Sequence, residues 1–175
     1  MFDKLIDFLI EFLDDAKFWF FVREWEKCVL LRAGRFHKEY PAGLYFKIPF
    51  LDEPNLELIT LTTNSLPPQS LTTKDHKQII IRAAISYYTE DPTKKMLEIY
   101  DSSDVVSDLT QGVIKKIVVD TDYINLILPE VERTLTVKVR DTLRKYGIYT
   151  DRVTITDLTL SKSFRIFNDT IESVV

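Results

Sequence analysis

Residues 78–88 read Gln78-Ile79-Ile80-Ile81-Arg82-Ala83-Ala84-Ile85-Ser86-Tyr87-Tyr88, the clearest strand pattern in the chain. Ile79, Ile81, Ala83, Ile85 and Tyr87 share one face while Arg82, Ser86 and Tyr88 fall on the other, because side chains alternate across a strand with a period of two. A strand with one apolar face needs neighbours and a cover. Upstream, Pro67-Pro68 forces an extended stretch, and Leu56 to Leu61 alternates with both faces fairly apolar. Farther upstream, Cys28 to Ala33 is a short apolar run ending at Gly34-Arg35, and Gly43 to Ile48 is another, closed by Pro49. Together these two runs are expected to form a hairpin.

Downstream the pattern turns helical. Asp91-Pro92 starts a short helix through Tyr100, with proline in the first turn where its missing N–H costs nothing. Ser102 or Ser103 is expected to cap a longer helix with the face Val106, Leu109, Val113 and Ile117. Pro129 opens a third, with Glu130 and Glu132 in its first turn and Arg140, Arg144 and Lys145 near its end, each sign matching the helix dipole. Its face is Leu128, Val131, Leu135, Val139, Leu143 and Tyr146, and Gly147 stops it. A final strand runs from Arg152 to Leu160, and its change of apolar parity predicts a bulge near Asp157. Strands, then helices, then a closing strand make an α+β plan: a curved antiparallel sheet with helices packed on one face, preceded by an N-terminal amphipathic helix.

That first helix is read from residues 1–16, whose apolar positions 2, 5, 6, 9, 10, 12, 13 and 16 lie on one face with Asp3, Asp7, Glu11 and Asp14 opposite. Phe18-Trp19-Phe20-Phe21-Val22 follows with no polar face, so something must cover it. Seven of the first 22 residues are charged, which rules out a single-helix span of a bilayer. Lying in the interface is feasible, with bulky Phe and Leu on one side and Trp19 near the end, although the acidic polar face is repelled by anionic lipid. The alternative is packing on the body of the protein or on a second subunit.

The 175 residues, 45% hydrophobic and 12% aromatic, suffice for one core or two small ones, burying roughly 70% of the unfolded surface. A lone Cys28 excludes a disulfide framework, and with no cleavable signal pattern it suggests a reducing, cytoplasmic setting. The formal charge of -4 offers no basic footprint for nucleic acid. That charge is concentrated in residues 1–26, which hold seven acids against three bases, whereas the remainder is balanced. Residues 27–47 carry Lys27, Arg32, Arg35, Lys38 and Lys47 against Glu39 alone, a basic stretch that can attract the acidic N-terminus or face anionic lipid.

Catalytic chemistry finds no foothold. His37 and His76 stand in no metal-ligand spacing, and four unclustered glycines exclude a standard phosphate loop. Ser70, Asp75 and His76 lack a nucleophile elbow, and Cys28 sits in an apolar run that suits a buried, inert thiol. Lys115-Lys116 reads as a solvated helix face.

Several segments together resemble the SPFH domain, or Band 7 domain, of stomatins and prohibitins. They are Val29-Leu30-Leu31-Arg32-Ala33-Gly34-Arg35, Ala42-Gly43-Leu44-Tyr45-Phe46-Lys47-Ile48-Pro49, Leu71-Thr72-Thr73-Lys74-Asp75 with the strand after it, Asp91-Pro92, Tyr146-Gly147-Ile148, and Val153-Thr154-Ile155-Thr156-Asp157-Leu158. Coverage is about residues 23–160, with Ala42 standing where the family usually has proline. The resemblance implies a non-enzymatic scaffold, peripheral on the inner, cytoplasmic face of a membrane, that forms homo-oligomers and organises or modulates membrane proteins such as a protease or channel. It implies no cofactor, metal, small-molecule substrate or nucleic acid. The domain plan is then 1–22 as a membrane- or partner-contacting segment, 23–160 as the SPFH-like domain and 161–175 as a short helical tail. The contact residues are expected to be Phe2, Leu5, Leu9, Phe12, Leu13, Phe18, Trp19, Phe20 and Phe21. The rival reading is a soluble oligomeric binding module or shell subunit whose N-terminal helix packs on protein instead of lipid.

Overall fold

The computed structural model describes residues 18–100 and 102–161, so the expected N-terminal helix and the C-terminal tail lie outside the described residues. The 78–88 pattern becomes the centre of the largest sheet as β8 (Gln78–Thr89), which follows β1 (Trp19–Val22), β2 (Glu26–Arg32), β3 (Arg35–Tyr40), β4 (Gly43–Phe46), β5 (Asp52–Leu58), β6 (Thr62–Ser65) and β7 (Gln69–Thr72). Strands β6 and β7 lie end to end along one edge of β8, and β9 (Ile148–Leu160) runs antiparallel along the other. Between β6 and β7 the chain bulges at Leu66, which is buried and donates its N–H to Ala83, and Pro67-Pro68 occupy positions where no ladder donor is needed.

All five odd-numbered apolar residues of β8 are buried, from Ile79 and Ile85 at 0% exposure to Tyr87 at 8%. After α1 (Pro92–Glu98), whose flanking Ile99 reaches the core, the cover consists of α2 (Ser102–Asp120), α3 (Tyr123–Leu126) and α4 (Pro129–Leu143), whose buried residues join those of β8 in one core. Each fully buried isoleucine contributes roughly 1.5–3 kcal/mol. The helical layer on one face of antiparallel strands bears out the α+β expectation.

The remaining strands form two smaller antiparallel sheets, β3-β2-β5 and β1-β4. Helix α1 is fastened to the three-stranded sheet by Lys95, whose ammonium reaches Glu57 at 2.8 Å and Thr89 at 3.3 Å, and by Thr93, which donates to Glu39.

Several expectations need correction. The run 28–33 does not form a hairpin with 43–48. It turns at Ala33 and Gly34, both with positive φ, and pairs with β3, while 43–46 pairs with β1. The two-residue turn leaves no slack for a longer connection, and β3, reading Arg-Phe-His-Lys-Glu-Tyr, has too little apolar alternation to be seen as a strand. The strand expected at 56–61 starts earlier, at Asp52, and ends at Leu58. In α2 both serines lie within the first turn, and the buried face is Val106, Thr110, Ile114, Ile117 and Val118, with Leu109 and Val113 only partly covered. Thr110 can enter the core because its hydroxyl donates to the Val106 carbonyl at 2.6 Å. Helix α4 buries Leu135, Val139 and Leu143 as expected, but Leu128 precedes it half-exposed, and residues 144–146 form a separate 3-10 turn ahead of Gly147. Strand β9 begins four residues early, and its register slips at two places, one at Thr156 beside the expected Asp157.

Candidate functional site

The pairing of β1 with β4 sets Trp19 opposite Phe46 and Phe21 opposite Leu44, so these four side chains share one face of a two-stranded ribbon. They are strongly exposed, Phe21 at 65% and Phe46 at 77%. The other face turns inward. Phe20 and Tyr45 meet Tyr40 of β3 in an aromatic triad with ring centroids 4.6–5.9 Å apart, and Val22 is buried beside them. The inward rings thus hold the ribbon against the three-stranded sheet, while its outer face is exposed among the described residues.

Beyond β4 the chain makes a tight turn through Ile48, Phe50 and Leu51, all exposed, before entering β5. Asp52 pins that turn. Its buried carboxylate accepts from Arg32 Nε at 2.6 Å and Nη2 at 3.0 Å, and from the Ile48 N–H at 2.8 Å. The forked ion pair with Arg32, aided by the Ile48 N–H, holds the Asp52 carboxyl down at about 2 and raises the guanidinium in return. Phe50 sits at φ +66°, a left-handed conformation that a bulky side chain seldom adopts. The pinned turn thus adds exposed apolar side chains directly after the ribbon in sequence.

Of the expected contact residues, Trp19 and Phe21 lie on this outer face, Phe20 turns into the triad and Phe18 is half-buried. Phe2, Leu5, Leu9, Phe12 and Leu13 lie outside the described residues. Leu44, Phe46, Ile48 and the Arg32–Asp52 clasp were not singled out from the sequence. The alternation of Leu44, Phe46 and Ile48 with Tyr45 and Lys47 was the available signal, and it carried no indication of which face would stay uncovered.

The other candidates resolve as structural parts. Cys28 is wholly buried, and burial pushes its thiol up to about 11, so it is a poor nucleophile. Asp75 does not serve a triad. It receives the Thr73 hydroxyl, the Lys77 ammonium at 2.9 Å and the Tyr123 N–H at 3.1 Å, which clamp the β7–β8 turn to α3 and hold its carboxyl far below the usual range. Lys115 and Lys116 lie on the exposed side of α2. Among the described residues no group of His, Cys, Asp and Glu is placed to hold a metal, and no helix is long and apolar enough to cross a membrane. Two shallow grooves of about 440 and 480 Å³ lie beside α4 and β9, bordered by Ile127, Glu132, Val137 and Ile155.

These features define a class, an α+β domain that presents an aromatic ribbon to its surroundings and carries its polar clusters as fasteners. The chain matches the family described as SPFH domain / Band 7 over residues 20–170, and it belongs to that family. An uncharacterized protein of Archaeoglobus fulgidus is 28% identical over 148 residues, covering 82% of this chain and 59% of the relative. Stomatin-3 of Caenorhabditis elegans is 25% identical over 81% of this chain and 54% of its own length. A stomatin homolog of Pyrococcus horikoshii is 24% identical over 55% of this chain and 36% of its own. The chain spans about half the length of the curated relatives it matches.

Proposed function

We propose that the protein is a non-enzymatic scaffold, peripheral on the inner face of a membrane, which self-associates and organises or modulates membrane proteins such as a protease or channel. The observation that carries this reading is the outer face of the β1–β4 ribbon, exposed among the described residues. Twelve of the 21 large apolar side chains exposed among the described residues fall between Trp19 and Leu61, so apolar exposure is concentrated on the N-terminal part of the fold. Such a surface suits the interface of a bilayer, where tryptophan and phenylalanine bury their rings at the headgroup boundary. Phe2, Leu5, Leu9, Phe12, Leu13 and Phe18 would extend the same contact, and Phe20 would support it from behind. Stomatin-named relatives favour the same role. Self-association is supported by exposed Ile127 and Val137 at the α4–β9 grooves.

The test is flotation with liposomes. Wild-type protein is expected to float, and Trp19→Asp/Phe46→Asp to remain mostly at the bottom while keeping wild-type circular dichroism. Equal flotation of both proteins, or none by the wild type over neutral and anionic lipid, contradicts the membrane reading. Protein that stays soluble yet oligomeric would instead favour the shell-subunit alternative.

A further inference from the structure

We propose that the bilayer this ribbon selects is anionic, with Arg35, Lys38 and Lys47 meeting headgroup phosphates while Trp19, Phe21, Leu44 and Phe46 enter the acyl boundary. The inference rests on the membrane reading above and adds the chemistry of the lipid.

Its first support is depth. The Lys38 ammonium lies 5.4 Å from the centroid of the Tyr40 ring, and that ring packs on Tyr45 and Phe20, the inward side chains of the ribbon. Lys38 therefore sits one layer of side chains behind the outer face. Lys47 follows Phe46 directly, its N–H bonded to the Phe18 carbonyl at 2.8 Å, and it is half-buried on the Tyr45 side of the strand. When the outer face of a flat element sinks about 5–10 Å into the interface, groups one layer behind it stand at the level of the phosphates. Long lysine stems make up small differences in height.

The second support is unspent charge. Arg32 and Lys27 are committed to Asp52 and Glu39, at 2.6 and 2.9 Å, whereas Arg35, Lys38 and Lys47 form no ion pair among the described residues. Among the described residues the nearby acids are largely consumed in the same way: Asp52 by Arg32, Glu39 by Lys27 and Thr93, and Glu57 by Lys95. Of those without an ion pair, Glu24 and Glu26 follow β1 at the Val22–Gly43 end of the ribbon, opposite the end that carries Lys47, and Glu53 lies on β5. An apolar face backed by cations that form no ion pair among the described residues is complementary to an apolar slab topped by anions. Each cation held near an anionic surface favours binding by about fivefold at physiological ionic strength.

The experiment measures sedimentation of the full chain with vesicles of phosphatidylcholine alone and of phosphatidylcholine with about a third replaced by phosphatidylglycerol. Three proteins are compared: wild type, Arg35→Gln/Lys38→Gln/Lys47→Gln, and the control Lys115→Gln/Lys116→Gln, whose lysines are exposed on α2. The wild type is expected to prefer the anionic vesicles by at least about tenfold, with the preference shrinking as salt is added. The triple variant should retain folded circular dichroism and lose that preference, while the control keeps it. Equal wild-type binding to both vesicles, or an equal loss in the triple variant and the control, overturns the anionic inference and leaves the membrane reading standing. Failure of the wild type to bind either vesicle overturns the membrane reading itself.

Discussion

Single residues here act as fasteners, and their titration is expected to show in the pH dependence of stability. Asp52 and Asp75 both have carboxyls depressed in the folded state, one by the Arg32 guanidinium, the other chiefly by the Thr73 hydroxyl and Lys77 ammonium. A depressed carboxyl contributes stability above its unfolded pKa of about 3.9 and loses it as pH falls through the folded value. Chemical denaturation midpoints are therefore expected to be flat with respect to these groups above about pH 5 and to drop between about pH 4 and 2. In Asp52→Asn/Asp75→Asn that drop should shrink, and an unchanged acid limb would refute the assignment. Gly147 is a different kind of fastener. It ends the 3-10 turn at φ +74°, its carbonyl accepts from the N–H groups of Glu90 and Asp91, and an added Cβ would collide with the Asp91 carbonyl oxygen. Gly147→Ala is expected to destabilise the fold by about 2 kcal/mol or more, measured by urea unfolding, because left-handed strain and the collision act together. The close approach also explains why Asp91-Pro92 and Tyr146-Gly147-Ile148, distant in sequence, serve one joint.

Among the elements, β8 was legible because its period of two had no competitor, and α4 because its dipole charges, opening proline and terminal glycine agree. What pattern reading missed is the device at the open edge of β9. Glu132, Thr136 and Arg140, one turn apart on α4, face that strand. Glu132 accepts from the Ile155 N–H at 2.8 Å, Thr136 from the Val153 N–H at 3.0 Å, and Arg140 donates to the carbonyls of Thr150 and Asp151. Helix side chains thereby satisfy backbone groups that an edge strand would otherwise offer to a neighbour. Glu132→Ala/Thr136→Val should cost about 2 kcal/mol and accelerate amide exchange at Val153 and Ile155 over the rest of β9. Exchange unchanged at those two amides would show that the side chains contribute nothing to the edge. In the sequence Glu132 shows only as a partner of the helix dipole, since nothing local tells a helix which strand it will lie beside.

At the scale of the whole molecule, the fold separates an apolar-exposed N-terminal part from a helical part with a full core. Self-association at the α4–β9 grooves predicts that light scattering in mild detergent gives a mass several times 20.5 kDa, and that Ile127→Asp/Val137→Asp lowers it. A monomeric wild type, or an unaffected variant, counts against that contact. The alternation in 78–88, the proline and glycine punctuation and the dipole-matched charges determined by themselves the α+β class, the central strand and most helix positions, because each depends on residues within one or two turns of one another. Only the tertiary structure decided that 43–46 pairs with β1, that the Arg32–Asp52 clasp shapes the 48–51 turn, and that Trp19, Phe21, Leu44 and Phe46 are exposed among the described residues. Pairing and exposure depend on what arrives from elsewhere in the chain, and local periodicity specifies a greasy face without specifying what, if anything, will cover it.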